Sequence, residues 1–366
     1  MNTKPVLQAQ SNKPLIIAGP CSAESEEQIL TVARTLSKHQ EVDFIRASVW
    51  KPRTFPCDFE GVGAIGLEWL KKAKKETGLK TCTEVAHAKH VEQAVKSDID
   101  MVWIGARTTV NPFLVEEIAE IVAHYGIPVM VKNPVNPDID LWIGAIERFI
   151  RKGVEQIGAI HRGFSGFRKL MYRNEPFWEI VFELKRHYPT IPIINDPSHL
   201  TGDKTMVQAM CQKALDLETD GLMIEVHPDP EKALTDQQQQ LTFDDFSNLL
   251  KSLVYRNHKK SPHSSDILKI RTQIDEVDAE IIKLLAHRMK LIREIGAVKR
   301  KNSMTILQME RWNDVVETRL AFGDTAGIDR KFLLKILQNI HEESLKIQSD
   351  IFEKKECTFA PVYNSK

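Results

Sequence analysis

The sequence predicts an eight-stranded α/β barrel followed by an all-helical unit that dimerises. Three observations lead to this prediction: eight short apolar runs separated by helix-length segments, a change of pattern near residue 250, and a 3-4 spacing of apolar residues beyond residue 265. The chain has 366 residues. Because single domains rarely exceed about 250–300 residues, two units are expected on length alone.

The eight apolar runs are the expected strands. Each is short, rich in β-branched residues and continuous rather than alternating, which indicates strands buried on both faces of a parallel sheet. The runs are Leu15–Ala18, Val42–Ala47, Lys80–Val85, Met101–Gly105, Pro128–Lys132, Gln156–Ile160, Ile191–Asn195 and Leu222–Val226. Eight β/α units within about 240 residues are typical of a TIM barrel. A doubly wound open sheet is the alternative, but no GxGxxG follows the first run.

The segments between the runs have helical character. Pro112–Tyr125 and Glu175–Tyr188 show apolar residues at helical spacing. Ser22, Ser25 and Asn111 precede such segments, and their side chains are expected to cap the first turns of helices.

Beyond residue 265 the pattern is helical only. The 3-4 rhythm from Ile267 to Val298 predicts one helix roughly 50 Å long with a coiled-coil-like seam, ended by Asn302-Ser303. Two further helices are expected over 308–321 and 329–351, joined by a loop at 323–327. Three helices of such unequal length are not expected to bury the long seam within one chain, so a homodimer or higher oligomer through this unit is expected.

These patterns define the expected domain organisation. The predicted ranges are 1–255 for the barrel, 256–265 for a polar linker, 266–353 for the helical domain and 354–366 for a loosely ordered tail.

Composition excludes several classes of protein. Lys+Arg and Asp+Glu both number 50, so no bulk charge favours nucleic acid or a membrane surface as a partner. Five cysteines without a CxxC pair indicate neither a disulfide framework nor a zinc knuckle. No run approaches about 18 apolar residues and the N-terminus has no apolar signal region, so a cytoplasmic location is expected.

Chargeable or metal-binding side chains stand at or just past every strand end, where barrels carry their catalytic groups. In chain order they are Cys21, Arg46, Glu84, Arg107, Lys132, Arg162, Asp196 with His199, and Glu225. Polar residues at the end of every strand predict an active site at this mouth of the barrel.

Four residues suit a divalent metal ion. Cys21, His199 and Glu225 lie at strand ends, and Asp236 follows eleven residues after Glu225. One thiolate, one imidazole and two carboxylates form a site of intermediate softness. Mn²⁺ is the ion expected first, with Fe²⁺, Co²⁺ and Zn²⁺ as alternatives.

A second set of residues suits anions. Arg46, Arg107, Lys132 and Arg162 are expected around the same mouth, where clustered positive charge calls for a small, multiply charged ligand. The KPRTFP segment adds a further set, namely Lys51, Arg53 and Thr54. Two anion pockets beside a metal indicate a lyase or transferase that joins two phosphorylated substrates.

The motifs that carry these residues closely resemble a known family. They are AGPCS (18–22), FIRASVWKPRT (44–54), TEV (83–85), IGART (104–108), VKNP (131–134), DPSH (196–199) and LMIEVHPDPEKALTD (222–236). Over residues 14–250 the chain is similar to the compact class of 3-deoxy-D-arabino-heptulosonate 7-phosphate (DAHP) synthases, relatives of the 3-deoxy-octulosonate 8-phosphate synthases. That family condenses phosphoenolpyruvate with erythrose 4-phosphate and releases phosphate.

The resemblance implies a role for each matching residue. The metal ligands would be Cys21, His199, Glu225 and Asp236. Phosphoenolpyruvate would be held by Arg46, Arg107, Lys132 and Arg162, and erythrose 4-phosphate by Lys51, Arg53 and Thr54. Glu84 is a candidate to position or deprotonate the water that adds during the reaction, and Lys51 and Lys132 are further catalytic candidates. Two alternatives stay open, an octulosonate-phosphate synthase and a Schiff-base aldolase with Lys132 as nucleophile.

The long helix carries a charged residue where its rhythm predicts an apolar one. Arg288 lies on the seam, and a buried arginine needs an anionic partner. Lys299 lies eleven residues on and nearly on the same face. Arg271 lies about 25 Å back along the helix, too far to share a small ligand with Arg288, so it would serve the site of a partner subunit.

Residues 268–299 and the HEESLKIQ segment (341–348) are similar to the all-helical chorismate mutase family. The resemblance implies that chorismate would be clamped by Arg271, Arg288, Lys299, Arg311 and Gln348, with Arg288 and Lys299 as the catalytic residues of the rearrangement to prephenate. Two positions depart from the family. Trp312 stands where many relatives carry a glutamate that contacts the substrate hydroxyl, and Gln308 stands where some carry aspartate. Gln308 or Glu310 is the expected substitute.

Two hypotheses for the helical domain follow. In one the chain is a bifunctional enzyme of aromatic biosynthesis. In the other the helical domain dimerises the chain and senses chorismate or prephenate, and thereby inhibits the barrel. The two can coexist, because a ligand that reorders the domains would couple the sites.

Overall fold

The computed structural model describes residues 7, 13–166, 171–256 and 265–353. The chain divides into two compact units between His258 and Lys259. Most of the expected linker and the whole expected tail, 354–366, lie outside the described residues. No helix among the described residues is long and apolar enough to cross a membrane.

The first unit is a closed barrel of eight parallel strands in sequential order, as predicted. The strands are β1 (Leu15–Gly19), β2 (Val42–Arg46), β3 (Lys80–Val85), β4 (Met101–Ile104), β5 (Val129–Lys132), β6 (Ile157–His161), β7 (Ile193–Asn195) and β8 (Gly221–Glu225). β8 pairs with β1 in parallel, with Gly19 opposite Glu225, so the barrel closes without a free edge. The open sheet is thereby excluded.

The strands are apolar on both faces because each face meets a different core. Side chains such as Ile17, Phe44, Trp103 and Met223 fill the barrel interior. The alternate residues, such as Ile16 and Ile45, pack against the surrounding helices. This two-sided burial accounts for the continuous apolar runs in the sequence.

The barrel unit contains ten α-helices among its described residues, besides two 3-10 helices, Pro230–Lys232 and Gln237–Gln239. The α-helices are α1 (Glu26–Leu36), α2 (Ile65–Thr77), α3 (Ala88–Lys96), α4 (Ala106–Thr109), α5 (Pro112–Tyr125), α6 (Ile139–Arg151), α7 (Trp178–His187), α8 (Pro197–Thr201), α9 (Lys204–Asp216) and α10 (Phe243–Ser252). Two predicted caps are confirmed, since Ser25 accepts from the Gln28 amide and Asn111 from the Phe113 and Leu114 amides. Ser22 is not a cap. Its hydroxyl instead hydrogen-bonds Thr235 at 2.7 Å beside the barrel mouth.

The second unit consists of three helices in its described part: α11 (Ser265–Lys301), α12 (Met309–Thr325) and α13 (Arg330–Phe352). The long first helix is confirmed. It ends at Lys301, two residues before Ser303, whose φ is 53°. The predicted loop at 323–327 is wrong at its start, because α12 continues to Thr325. Glycine at 323 allows α13 to pack against this part of α12, since a Cβ there would lie 2.1 Å from Leu333 of α13.

The α11 seam is exposed in the single chain over most of its length. Ile270, Ile274, Val277 and Leu284 are each more than half exposed. Towards its C-terminal end α11 packs on α13, where Gly296 allows the close approach because a Cβ would lie 2.8 Å from Ile351. From Ile270 to Leu284 the seam therefore lacks a partner among the described residues.

Candidate active sites

The first candidate site lies at the carboxyl ends of the barrel strands. Ligand-capable atoms of four side chains all lie within 4.8 Å of one another, namely those of Cys21, His199, Glu225 and Asp236. They are the four residues predicted from the sequence. Among the described residues no other group of three or more potential ligands forms such a cluster.

Local backbone geometry brings Cys21 to this cluster. Gly19 ends β1 at a φ of 144°, and a Cβ there would lie 2.2 Å from the Arg46 carbonyl oxygen. A glycine is thus required for β1 to approach the end of β2. The chain then turns so that the Cys21 amide donates to Gln240 Oε1 at 3.0 Å.

Charged neighbours hold the four ligand side chains. Lys51 Nζ donates to Cys21 Sγ at 2.5 Å and lies 3.8 Å from Asp236 Oδ2. Arg46 Nη2 lies 3.3 Å from Glu225 Oε1, and both side chains are buried. These cations offset the cost of burying the two carboxylates.

The pKa shifts and hydrogen bonds of the cluster can be compared with what a divalent cation requires. Burial and the nearby Glu225 carboxylate raise the pKa of the Cys21 thiol well above its ordinary value. Burial lowers the pKa of His199, although Asp196 and Glu225 oppose the shift, so the imidazole is neutral at pH 7. Glu225 Oε1 is buried and accepts no hydrogen bond among the described residues. A divalent ion fits this set, because it would displace the thiol proton and use the free lone pairs.

Sequence reasoning named Asp196 and Lys132 among the strand-end residues but missed that they orient these ligands. Asp196 caps α8 and contacts His199 Nδ1 at 3.0 Å, while Lys132 Nζ donates to Asp196 at 2.9 Å. Although burial alone would raise it, the pKa of Asp196 is held well below its ordinary value by His199 and Lys132. Metal-bound histidines commonly donate their second ring nitrogen to such a carboxylate. The DPSH motif was the available signal for this pairing.

Gln239 and Arg173 were also missed. Gln239 Nε2 donates to Glu225 Oε2 at 2.7 Å, and Arg173 Nη1 donates to Asp236 Oδ1 at 2.9 Å. Arg173 also donates to Gln239 Oε1 at 2.7 Å, which joins the two carboxylate ligands through one guanidinium. A run of four glutamines suggests low complexity rather than a site, and no pattern in the sequence marked Arg173.

A cavity of about 410 Å³ opens beside the cluster. Most of the predicted anion-binding residues line it, namely Lys51, Arg53, Thr54, Arg107, Lys132 and Arg162, together with Glu84, His199 and Asp236. Arg46 is buried and is not among the lining residues. Its guanidinium lies 5.1 Å from the Trp103 ring centroid, and its Nε and Nη1 atoms have no hydrogen-bond partner among the described residues. Buried, unpaired guanidinium atoms are costly unless an anion reaches them.

Further hydrogen bonds fix the anion-binding residues. Arg107 Nη2 donates to Thr54 Oγ1 at 2.9 Å and so joins the two predicted anion pockets. Arg162 Nη1 donates to Asn174 Oδ1 at 2.9 Å. Burial lowers the pKa of Arg162 to about 10, which leaves it charged at pH 7. Glu84 accepts from the Trp103 indole at 3.2 Å.

The second candidate site is a cavity of about 550 Å³ between the three helices of the second unit. Five of the predicted residues line it: Arg288, Lys299, Gln308, Arg311 and Gln348. Arg288 Nη1 donates to Ser344 Oγ at 2.7 Å, and Gln348 Oε1 is buried without a partner. No Asp or Glu is among the lining residues, so a bound anion is the remaining candidate for the anionic partner that Arg288 needs. Arg271 does not line the cavity, as its distance along α11 predicted, and neither does Glu310.

Comparison with known proteins identifies a family for each of the two units. The sequence model of the DAHP synthetase I family matches residues 1–259, and that of chorismate mutase type II matches residues 270–349. A phospho-2-dehydro-3-deoxyheptonate aldolase of Thermotoga maritima is 32% identical over 238 residues, which cover 65% of this chain and 68% of the relative. A 2-dehydro-3-deoxyphosphooctonate aldolase of Nitratidesulfovibrio vulgaris is 27% identical over 260 residues, which cover 65% of this chain and 90% of the relative.

Two solved structures share the barrel. The crystal structure of the Thermotoga maritima DAHP synthase superposes with a TM-score of 0.59 at 31% identity, covering 66% of this chain and 68% of that one. A truncated form of the 3-deoxy-D-arabino-heptulosonate 7-phosphate synthase from Thermotoga maritima superposes with a TM-score of 0.57 at 30% identity. The match covers 66% of this chain and 85% of that one. The chain therefore belongs to the DAHP synthetase I family and carries a chorismate mutase type II domain after its barrel.

Proposed function

We propose that the barrel condenses phosphoenolpyruvate with erythrose 4-phosphate at the Cys21–His199–Glu225–Asp236 cluster, and that the helical cavity rearranges chorismate to prephenate. The observation that supports the first part most is the joint placement of four metal-ligand side chains and a cationic cavity at one barrel mouth. Arabinose 5-phosphate is the alternative second substrate, because octulosonate-phosphate enzymes are among the relatives.

The proposed condensation uses the residues around the cavity. The enol carbon (C3) of phosphoenolpyruvate bonds to the aldehyde carbon, water adds to the cationic C2, and cleavage of the C2–O bond releases inorganic phosphate. A bound divalent ion, with Mn²⁺ proposed first and Fe²⁺, Co²⁺ or Zn²⁺ as alternatives, would supply Lewis-acid polarisation of the aldehyde oxygen. Arg46, Arg107, Lys132 and Arg162 hold the enolpyruvate anion and take up the charge of the departing phosphate.

The second substrate has its own residues. Lys51, Arg53 and Thr54 lie on one loop beside the cluster and bind the sugar phosphate. Lys51 Nζ lies 2.5 Å from the Cys21 sulfur, which supports a role for it as the donor to the oxygen that forms as the aldehyde is attacked. The Arg107–Thr54 hydrogen bond fixes the two phosphate pockets relative to each other, which brings the reacting carbons together.

Phosphate release under four conditions tests this assignment. Phosphoenolpyruvate is supplied with erythrose 4-phosphate or with arabinose 5-phosphate, each with and without EDTA. We expect turnover with erythrose 4-phosphate only, lost in EDTA and restored by Mn²⁺. Preference for arabinose 5-phosphate would support the octulosonate alternative. Activity that survives the chelator, together with borohydride trapping of substrate on Lys132, would support the Schiff-base aldolase.

We predict that Glu84→Gln lowers barrel turnover about 100-fold with little change in phosphoenolpyruvate KM, because the carboxylate is proposed to take the proton of the adding water. The amide preserves the shape of the side chain, which packs against Gly105, where a Cβ would lie 2.1 Å from Glu84 Oε1. Glu60→Gln, on the nearby loop outside the 410 Å³ cavity, is the control. Full turnover by Glu84→Gln would remove Glu84 from the mechanism.

For the helical cavity we propose that Arg288, Lys299, Arg311 and Gln348 bind the two carboxylates and the ether oxygen of chorismate. The lining offers positive charge and no carboxylate, which suits a dianion. Preorganised charges suffice for a pericyclic rearrangement, since no covalent step occurs on the protein. The exposed α11 seam supports a homodimer, in which Arg271 would complete the partner's cavity.

We also propose that prephenate or chorismate bound to the helical domain inhibits the barrel. The full chain should lose synthase activity as prephenate is added, whereas a chain ending at residue 259, the end of the DAHP synthetase match, should not respond. Steady-state rates over a prephenate titration measure this. Equal inhibition of both chains would place the inhibitory site in the barrel. Prephenate binding without chorismate turnover in the full chain would favour the dimerisation-and-sensor alternative.

A further inference from the structure

The helical cavity offers charge to its ligand but few hydrogen-bond acceptors. Four cationic side chains line it, namely Arg288, Lys299, Arg311 and Arg319, and no Asp or Glu does. Chorismate and prephenate carry a ring hydroxyl as well as two carboxylates. A hydroxyl taken from water into a cavity needs an acceptor, because an unpaired buried donor costs free energy.

An aromatic pair forms part of the wall of this cavity. The rings of Trp312 on α12 and His341 on α13 stack with centroids 3.9 Å apart and planes 18° from parallel. Both side chains line the cavity and both are partly buried. The indole therefore fixes the plane of the imidazole, while neither ring nitrogen of His341 has a hydrogen-bond partner among the described residues.

The surrounding charges keep the imidazole neutral. Burial lowers the pKa of His341, and Arg288 and Lys299 on α11 lower it further. Arg311 and Arg319 on α12 add positive charge around the same cavity, and no lining residue of α13 carries a carboxylate. A neutral imidazole has one N–H donor and one nitrogen that accepts. It is thus the one ring in the lining that can accept a hydrogen bond from a hydroxyl, because the Trp312 indole can only donate.

We infer that His341, held in place by Trp312, accepts a hydrogen bond from the ring hydroxyl of the dianionic ligand and is a specificity-determining residue of this site. The inference rests on the proposed mutase function and deepens it. Other acceptors suit the role less well. Gln308 is exposed and its side chain is not held by any hydrogen bond among the described residues, and Glu310 lies outside the lining. Gln348 already belongs to the set of residues proposed to bind the carboxylates and the ether oxygen.

Ligand pairs test this in the full-length protein. Dissociation constants are measured by calorimetry for prephenate and for its deoxy analogue, which lacks the ring hydroxyl. The wild type should bind the deoxy analogue about tenfold more weakly, the size expected for one lost hydrogen bond to a desolvated group. This comparison needs no variant, so it stays informative if a substitution disturbs folding.

Variants then assign the preference to His341. His341→Phe keeps the stacked ring but removes the acceptor, and it should weaken prephenate binding about tenfold while changing the affinity for the deoxy analogue less than about twofold. His341→Gln restores an acceptor and should recover most of the loss. His287→Phe, at an exposed histidine of α11 outside the cavity, is the matched control, and helical circular dichroism checks that each variant is folded.

The outcomes distinguish failure of the proposed role of His341 from failure of the proposed mutase function. Equal affinities of the wild type for both ligands, or equal weakening of both by His341→Phe, would overturn the role of His341 and leave the mutase proposal intact. A wild type that neither converts chorismate nor binds prephenate would overturn the proposed function itself.

Discussion

Replacing Cys21 by serine should abolish condensation by the barrel, with a fall in turnover on the order of 100-fold or more and a comparable loss of metal affinity. Serine keeps the shape of the side chain but removes the sulfur that makes the site soft enough for Mn²⁺, Fe²⁺, Co²⁺ or Zn²⁺. Its hydroxyl is also far harder to deprotonate than a thiol. Metal dissociation constants and phosphate release at saturating phosphoenolpyruvate measure the two effects.

A matched control is available in the same chain. Cys57 is an exposed free cysteine on the loop that carries Lys51, Arg53 and Thr54, and it does not line the 410 Å³ cavity. Cys57→Ser should therefore keep metal affinity and turnover. If Cys21→Ser behaved like Cys57→Ser, the four-residue metal site would be disproved. Measuring metal affinity directly separates loss of the ion from loss of the fold.

The second large effect is expected for Arg288→Ala, which should lower chorismate turnover by about 100–1,000-fold, because a preorganised charge facing the dianion is lost. The guanidinium is half-buried and hydrogen-bonded to Ser344, and it faces no carboxylate in the cavity. Burial and the neighbouring Arg319 lower its pKa, which shows how little compensating negative charge lies nearby. Conversion of chorismate to prephenate, followed by absorbance, provides the measurement.

Arg293→Ala serves as the control for this experiment, since Arg293 lies on the same helix, is exposed and is absent from the cavity lining. A normal mutase rate in Arg288→Ala would show that the cavity is not the catalytic site. Loss of the rate in both variants would instead indicate damage to α11. Synthase turnover at saturating substrates, measured on the same samples, reports whether the barrel unit is intact.

The sequence predicted the barrel well because its strands are buried on both faces. Continuous apolar runs such as Met101–Gly105 can be recognised without knowledge of the fold, and their order along the chain fixes the order of strand ends around the mouth. From that order, Cys21, His199, Glu225 and Asp236 could be predicted to form one metal site. α11 was equally clear, since its apolar rhythm is long and unbroken by glycine until Gly296.

What the sequence did not reveal depends on tertiary contacts. Arg173 reaches Asp236 across 63 positions of sequence, and no local pattern signals such a contact. The Trp312–His341 stack joins two helices whose facing sides follow only from their packing. The end of α12 was misplaced because glycine at 323 suggested a loop, whereas the residue is needed there to admit Leu333.

The run Gln237–Gln240 has a consequence for how this chain can vary. Glutamine repeats usually gain and lose units with little effect, since most lie in solvent. Here Gln239 holds Glu225, the next residue holds the Cys21 amide, and the run begins directly after Asp236, whose φ is 49°. Removing or adding one glutamine would exchange these partners and shift Asp236 relative to the other three ligands. The repeat therefore has a fixed length, and a single-codon slip within it should be as damaging as the loss of a metal ligand.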